Sequence, residues 1–327
     1  MLGFFFVSGI IQAMMKFPYG FFWGASLSAH QAEGGNINSD WWKWEQESAQ
    51  RVKSGPACMH YERYKEDFDL AKSIGHNCAR LSVEWCRIEP SRGKFDTEAI
   101  SHYKDVVAAL RQRNIEPVVT LHHFTSPQWF ADMGGWSDKR AVRSFLAYAE
   151  QIVSELAPYV TYWVTINEPL IYIFYGYILG AWPPNRRSLA LALAVRKNMI
   201  LSHIACHRLI HSLYRQKKLP APSVSIAHHM PAYVACTNSL RDKFSVSLRK
   251  ALVDFNILDV LARNKSLDYI GVNYYRIMIL WKRIPWAGRS IRRVFMMCSR
   301  RLSGINCRSL YSKTGFAPTM MLSVGNL

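Results

Sequence analysis

The sequence contains no CxxC pair, no low-complexity linker and no internal repeat. Its seven cysteines stand singly and are odd in number, which disfavours both a disulfide framework and a cysteine-based zinc site. Free thiols are typical of a reducing compartment, so we expect a cytoplasmic protein. The glycine-rich motifs GxGxxG and GxxxxGK[ST] are also missing, which disfavours the open sheets that bind nucleotides.

Acidic residues are missing from the last part of the chain. Residues 276–327 contain ten Lys or Arg and no Asp or Glu, so this segment supplies ten of the 18 net positive charges. The first 275 residues carry only +8. We interpret residues 276–327 as a basic divergent tail. A frameshift or other truncating event would produce such a tail, and an inserted basic module is the alternative.

The N-terminal stretch MLGFFFVSGIIQAMM has no charged residue before Lys16. It lacks the basic n-region of a secretory signal and is too short to span a bilayer comfortably. We interpret residues 1–16 as an apolar N-terminal extension, with a targeting or anchoring segment as the alternative.

Short apolar runs alternate with amphipathic helical patterns from residue 20 onwards. This alternation predicts parallel strands joined by helical crossovers, in an α/β fold. The predicted strands cover residues 20–26, 77–85, 116–124, 160–169, 222–229 and 267–275. The predicted helices cover residues 60–75, 98–114, 140–158, 189–214 and 244–262.

Polar residues lie at or just after the end of each predicted strand, where the active sites of (β/α)8 barrels collect. The pattern therefore favours a TIM barrel over residues 17–275. These residues are Gln31, Glu84, Trp85, His122, His123, Asn167, Glu168, His228, His229, Asn273 and Tyr275.

The segment TYWVTINEPL, residues 161–170, ends an apolar run on Glu168. Glycoside hydrolysis needs one carboxyl group to protonate the leaving oxygen and a second to attack the anomeric carbon or to activate water. A neighbouring amide such as that of Asn167 can hold a sugar hydroxyl in place. Taken alone, the tripeptide NEP, residues 167–169, is more typical of a capping or ion-paired glutamate at a strand-to-helix junction.

Five sequence blocks, one of which lies within this segment, favour a catalytic role for Glu168. They are FPYGFFWGASLSAHQAEG (17–34), ARLSVEWCRIEP (79–90), VVTLHHFTSPQWF (118–130), TINEP (165–169) and DYIGVNYY (268–275). In order and spacing they resemble family 1 of the glycoside hydrolases, the β-glucosidase family. The resemblance implies a (β/α)8 barrel that hydrolyses β-glycosides with retention and needs neither a cofactor nor a metal.

The resemblance also implies roles for the matching positions. Glu168 would be the general acid/base, and Asn167 would bind the 2-hydroxyl of the sugar. Gln31 and His123 would bind hydroxyls at the other edge of the ring, and Arg80 would fix the charge state of the carboxylates. Tyr275 would hydrogen-bond the nucleophile, with Asn273 beside it. We expect His122, His228 and His229 to be structural, because adjacent strand residues point to opposite faces and do not chelate one metal.

The sequence departs from the family at the second carboxylate. The family carries its nucleophile in a Glu-Asn-Gly segment that ends the seventh strand, and this sequence has no such segment; Glu168 is its last glutamate. We therefore expect a barrel that lacks strands 7 and 8, with two unpaired sheet edges and poor folding. We also expect little or no turnover from this chain.

The expected partners are β-linked mono- or oligosaccharide glycosides, with neither nucleic acid nor membrane. Two alternatives remain open. One is a non-catalytic sugar-binding remnant that uses Gln31, His123 and Asn167. The other is an interaction protein whose basic tail binds nucleic acid or acidic membranes, since the arginine pairs 292–293 and 300–301 would share one face of a helix.

Overall fold

The structure, a computed structural model, describes residue 17 and residues 19–249, 255–274, 277–280, 309–312 and 319–323. The interpretation of residues 1–16 therefore stays a prediction, and Tyr275 lies outside the described residues. The described strands are β1 (Trp23–Ser26), β2 (Cys78–Ser82), β3 (Glu116–His122), β4 (Tyr162–Asn167), β5 (Ser223–His229), β6 (Ala232–Ala235), β7 (Tyr269–Asn273), β8 (Ile277–Leu280), β9 (Ser309–Ser312) and β10 (Thr319–Ser323).

Six of these strands form the parallel wall of a barrel in the order β1-β2-β3-β4-β5-β7. They correspond to the six predicted strands. Two glycines permit close approach between neighbouring strands. A Cβ on Gly24 would lie 1.8 Å from the Cys78 carbonyl oxygen, and one on Gly271 would lie 2.5 Å from that of Ile226. Any larger residue at either position would push the strands apart.

The barrel is closed by two short strands from the basic tail. β10 pairs antiparallel with both β7 and β9, and β9 pairs parallel with β1. The expectation of two unpaired edges is therefore wrong, because β9 and β10 supply backbone partners to both edges of the six-stranded wall. A parallel seventh strand would run in the same direction as β7, whereas β10 runs against it.

The main crossover helices are those expected from the apolar periodicity. The described α-helices, including short ones in the loops, are Ala29–Ala32, Asp40–Gln46, His60–Ser73, Trp85–Ile88, Thr97–Gln112, Gln128–Asp132, Ala141–Leu156, Pro169–Ile173, Leu189–Gln216, Leu240–Arg249 and Phe255–Arg263. The single helix expected over 244–262 corresponds to the last two of these, and residues 250–254 between them lie outside the described residues.

The largest hydrophobic cluster lies between the barrel wall and these helices. Trp85, Trp136, Trp163 and Tyr148 are among its fully buried members. Within the described residues, the helix Leu189–Gln216 is long and apolar enough to cross a membrane by length and composition. Core helices pass the same test, and the buried residues Val195, Met199 and Cys206 of this helix belong to the cluster.

A second, smaller sheet extends the barrel beyond two strand ends. β6 follows β5 and pairs parallel with β8, which follows β7. Sequence periodicity did not predict either strand. Each is only four residues long, which is too short for a clear period-two pattern.

Candidate active site

The carboxyl half of the barrel brings together four of the predicted site residues. Arg80 projects from β2, Asn167 ends β4, Glu168 follows it and Asn273 ends β7. All four are buried. Residues separated by up to 193 positions in the sequence therefore meet at one point of the barrel.

The Arg80 guanidinium organises this cluster. Its Nε donates to Thr120 Oγ1 at 2.9 Å, its Nη2 to Asn167 Oδ1 at 2.6 Å and its Nη1 to Asn273 Oδ1 at 3.2 Å. The planar guanidinium presents its donors in a rigid fork, so three bonds in different directions fix both amides relative to the barrel wall.

The amide of Asn273 connects this network to Glu168. Its Nδ2 donates to Glu168 Oε1 at 2.5 Å and to Asn167 Oδ1 at 3.0 Å. The carboxyl group and the guanidinium are thus bridged by one shared amide. Glu168 is only 3% exposed, so its carboxyl group interacts with fixed protein dipoles more than with bulk water.

Glu168 has an unusual backbone conformation. Its φ of 43° lies in the left-handed region, which is uncommon for a side chain of this size. Pro169 begins the following helix, and the Glu168 N–H donates to the Ala227 carbonyl oxygen at 2.7 Å. Surrounding bonds hold the residue in place, and strain of this kind concentrates at functional sites.

The orientation of the Asn167 amide follows from its partners. Its Oδ1 accepts from both Arg80 and Asn273, so its Nδ2 must point the other way. That Nδ2 is buried and has no hydrogen-bond partner in the described part of the chain. A buried, unpaired donor costs free energy, and a ligand oxygen would satisfy it.

His123 lies at the carboxyl end of β3, and its ring is 5.3 Å from that of Phe124. Burial, with the nearby charge of Arg80, holds the pKa of His123 well below its ordinary range. The ring is therefore neutral at neutral pH and has one N–H donor and one acceptor nitrogen. Its Nδ1 has no partner among the described residues.

His122 differs from its neighbour. Its Nε2 lies 3.2 Å from Ser126 Oγ and accepts from Trp136 Nε1 at 3.1 Å. Burial lowers its pKa to about 3, so the ring stays neutral. Trp136 belongs to the largest hydrophobic cluster, so these contacts agree with the structural role that we expect for His122. His228 and His229 end β5, where His229 pairs in register with Asn273.

Gln31 lies at the same end of the barrel, in the short helix that follows β1. Its side chain is exposed and makes no hydrogen bond within the described part of the chain. The structure therefore does not join Gln31 to the Arg80 network, and its predicted contact with a sugar hydroxyl stays a prediction.

A line of aromatic rings lies next to His123. Phe124 is 5.3 Å from Trp182, which is 5.3 Å from Trp41 and stacks on Tyr175 at 4.5 Å, all measured between ring centroids. Flat apolar rings suit the apolar faces of sugars. The sequence analysis did not single out Trp41 or Trp182. The tryptophan-rich stretch 41–44 was a signal for Trp41, and Trp182 had none.

Two buried carboxyl groups hold the neighbouring loops. Glu84 accepts from Thr125 Oγ1 at 2.8 Å and from Asn36 Nδ2 at 3.1 Å. Asp40 Oδ1 accepts from the backbone N–H groups of Ser126 and Trp41, each at 2.9 Å. Burial outweighs these bonds and raises the pKa of Asp40 to about 8. The burial of Asp40 was not predicted from the sequence.

Comparison with known proteins matches the chain to one family. The model of glycosyl hydrolase family 1 matches residues 13–265. The chain is 32% identical to β-glucosidase 1 of Arabidopsis thaliana and to β-glucosidase A of Acetivibrio thermocellus, over 73% and 68% of its length. It covers 49% and 51% of those proteins, so it spans about half the length of these curated relatives.

Solved structures agree. A β-glycosidase from Pyrococcus horikoshii is 33% identical, with a TM-score of 0.72 over 80% of this chain and 63% of the other. A β-glucosidase from Thermotoga maritima in complex with deoxynojirimycin is 21% identical, with a TM-score of 0.74 over 81% of this chain and 67% of the other, which supports the fold alone. Because the family model matches more than half of the chain, the chain belongs to glycosyl hydrolase family 1.

Proposed function

We propose that the chain is a β-glycosidase by descent in which Glu168 is the general acid/base. The observation that carries this proposal is the 2.5 Å bond from Asn273 to Glu168, inside a network that also fixes Arg80 and Asn167. A buried carboxyl group in fixed geometry suits proton transfer to a leaving oxygen.

Asn167 and His123 would hold the sugar. The unpaired Nδ2 of Asn167 is a donor for a hydroxyl beside the reacting carbon, and the neutral ring of His123 can bind another hydroxyl. The aromatic line that includes Phe124 and Trp182 would pack against an apolar sugar face. Because two relatives are named β-glucosidases, β-linked glucosides are the first substrates to test.

We also propose that the segment after Glu168 supplies no catalytic nucleophile. Its acidic residues are Asp242, Asp254, Asp259 and Asp268. Asp242 bonds to Thr237 at the surface, and Asp268 precedes the amino end of β7. β9 and β10 contain no acidic residue. Without a carboxylate on the second face of the sugar, formation of a glycosyl-enzyme intermediate has no attacking group.

External azide tests both parts of the proposal. Azide would attack the anomeric carbon of an aryl β-glucoside from the free face, and the bond to the aryl oxygen would break as Glu168 gives that oxygen its proton. The products would be an α-glucosyl azide and the phenol. We expect little release of phenol without azide, and release that rises with azide concentration.

Glu168→Gln provides the matched control. Acid catalysis typically contributes about 10²–10⁴-fold, and it matters most when the leaving phenol is weakly acidic. We therefore expect Glu168→Gln to slow the azide reaction of 4-nitrophenyl β-glucoside strongly and that of the 2,4-dinitrophenyl substrate much less. Azide-independent turnover that Glu168→Gln abolishes would overturn the missing-nucleophile part of the proposal. An equal effect on both substrates would overturn the acid role.

A further inference from the structure

A cluster of metal-ligating side chains lies at the amino end of the barrel, opposite Glu168. His207 and His211 are four residues apart in the helix Leu189–Gln216, so both imidazoles project from one face of the helix. Their ring centroids are 4.5 Å apart. Asp268, which directly precedes β7, faces them from the barrel wall.

The three side chains already converge on one point. His207 Nε2 lies 3.3 Å from Asp268 Oδ1, and His211 Nε2 lies 2.8 Å from Asp268 Oδ2. One ligand atom from each residue lies within 4.8 Å of the other two. Zinc binds imidazole nitrogen and carboxylate oxygen at about 2.0–2.2 Å, so its ligand atoms lie roughly 3–3.5 Å apart in a tetrahedral site. Small side-chain movements would therefore bring all three atoms to bonding distance.

A backbone hydrogen bond holds the Asp268 carboxylate in position. The backbone N–H of Val224, at the start of β5, donates to Asp268 Oδ2 at 2.8 Å. Such outer partners orient metal ligands and add to affinity.

The cluster is accessible to solvent. The side chains of His207, His211 and Asp268 are 11%, 22% and 28% exposed. An ion could enter without local unfolding, and water could complete its coordination. From the three converging ligands we propose that His207, His211 and Asp268 bind one divalent transition metal ion, with Zn²⁺ as the best match to two imidazoles and one carboxylate.

The metal would link the helix Leu189–Gln216 to the amino ends of β5 and β7. It would therefore stabilise the folded chain by mass action rather than take part in glycoside cleavage. A plain ion pair between Asp268 and the histidines is the simpler interpretation, and it predicts no saturable binding of metal.

The test uses the full chain and needs no turnover. Calorimetric titration with ZnCl₂ should give one ion bound per chain, and the midpoint of thermal unfolding should rise with Zn²⁺. His211→Ala and Asp268→Asn should each weaken binding by at least about tenfold, since even outer-shell changes cost 10–100-fold in metal affinity. His76→Ala, which removes a histidine outside the cluster, should leave binding unchanged.

Co²⁺ distinguishes this site from the free thiols, of which Cys58 is exposed. We expect a nitrogen- and oxygen-ligated Co²⁺ spectrum without a thiolate charge-transfer band, and loss of that spectrum in both variants. Should either variant fail to fold, His207→Gln replaces it. The proposal would be overturned by no saturable binding, by unchanged affinity in the folded variants, or by a thiolate band that accounts for the bound ion.

Discussion

The two ends of one five-residue strand, β7, face different chemistry. At its carboxyl end, Asn273 bonds to Glu168 and to Arg80 in a buried network. Before its amino end, Asp268 bonds to two partly exposed histidines on a crossover helix. In barrels of this type the carboxyl ends of the strands carry the chemistry and the amino ends carry stability. The end of the strand on which a polar side chain stands therefore decides its role more than its residue type does.

Arg80→Ala should produce the largest loss of stability. It removes three buried hydrogen bonds, to Thr120, Asn167 and Asn273. At about 0.5–1.5 kcal/mol each, their loss should lower the free energy of unfolding by about 2–4 kcal/mol. Urea denaturation would measure it.

Arg113→Ala is the matched control for that experiment. Arg113 forms an exposed ion pair with Asp69, at 2.7 Å between Arg113 Nε and Asp69 Oδ1. Exposed pairs contribute little, so its urea midpoint should stay close to that of the wild type. Equal losses of stability from the two substitutions would contradict the importance that we assign to the Arg80 hydrogen bonds.

Asp268→Asn should give a smaller loss that depends on pH. Hydrogen bonds to a charged partner contribute more than neutral ones, so we expect a loss of about 1–3 kcal/mol at neutral pH in the absence of metal. The pKa of Asp268 is lowered in the folded state, so its contribution is present above the unfolded pKa of about 3.9 and is lost as the pH falls. Urea midpoints of wild type and variant should converge in acid. A constant difference down to low pH would contradict this.

Asp40→Asn should change the pH dependence of stability in the direction opposite to that of Asp268→Asn. The pKa of Asp40 is raised to about 8, so its contribution is full below the unfolded pKa and is lost as the pH rises towards 8. Between the unfolded and folded pKa values, one such group changes the free energy of unfolding by about 1.4 kcal/mol per pH unit. The variant, which mimics the protonated acid, should lose less stability than the wild type between pH 5 and pH 8. Parallel pH profiles would show that Asp40 is ionised in the folded chain.

Much of the barrel and the central cluster of the candidate site could be predicted from sequence. The six parallel strands follow from short apolar runs between helical patterns. Arg80, Asn167, Glu168 and Asn273 meet in the structure because each stands on a predicted strand or directly after it, and the order of parallel strands brings those positions together.

The rest depends on contacts between distant residues. Closure by β9 and β10 was missed because pairing across 46 or more residues leaves no local periodic signal. The cluster of His207, His211 and Asp268 was missed for a similar reason. The histidines show helical spacing, but their carboxylate partner is 57 residues further along the chain.

The most direct test compares the two ends of β7 in one assay. The azide-dependent cleavage of 4-nitrophenyl β-glucoside would be measured side by side for the wild type, Asn273→Ala and Asp268→Asn at a temperature where all three are folded. The account predicts that Asn273→Ala, which removes the bond to Glu168, loses most of the rate, whereas Asp268→Asn keeps it. Equal rates in the two variants, whether both high or both low, would contradict the division of roles between the two ends of the strand.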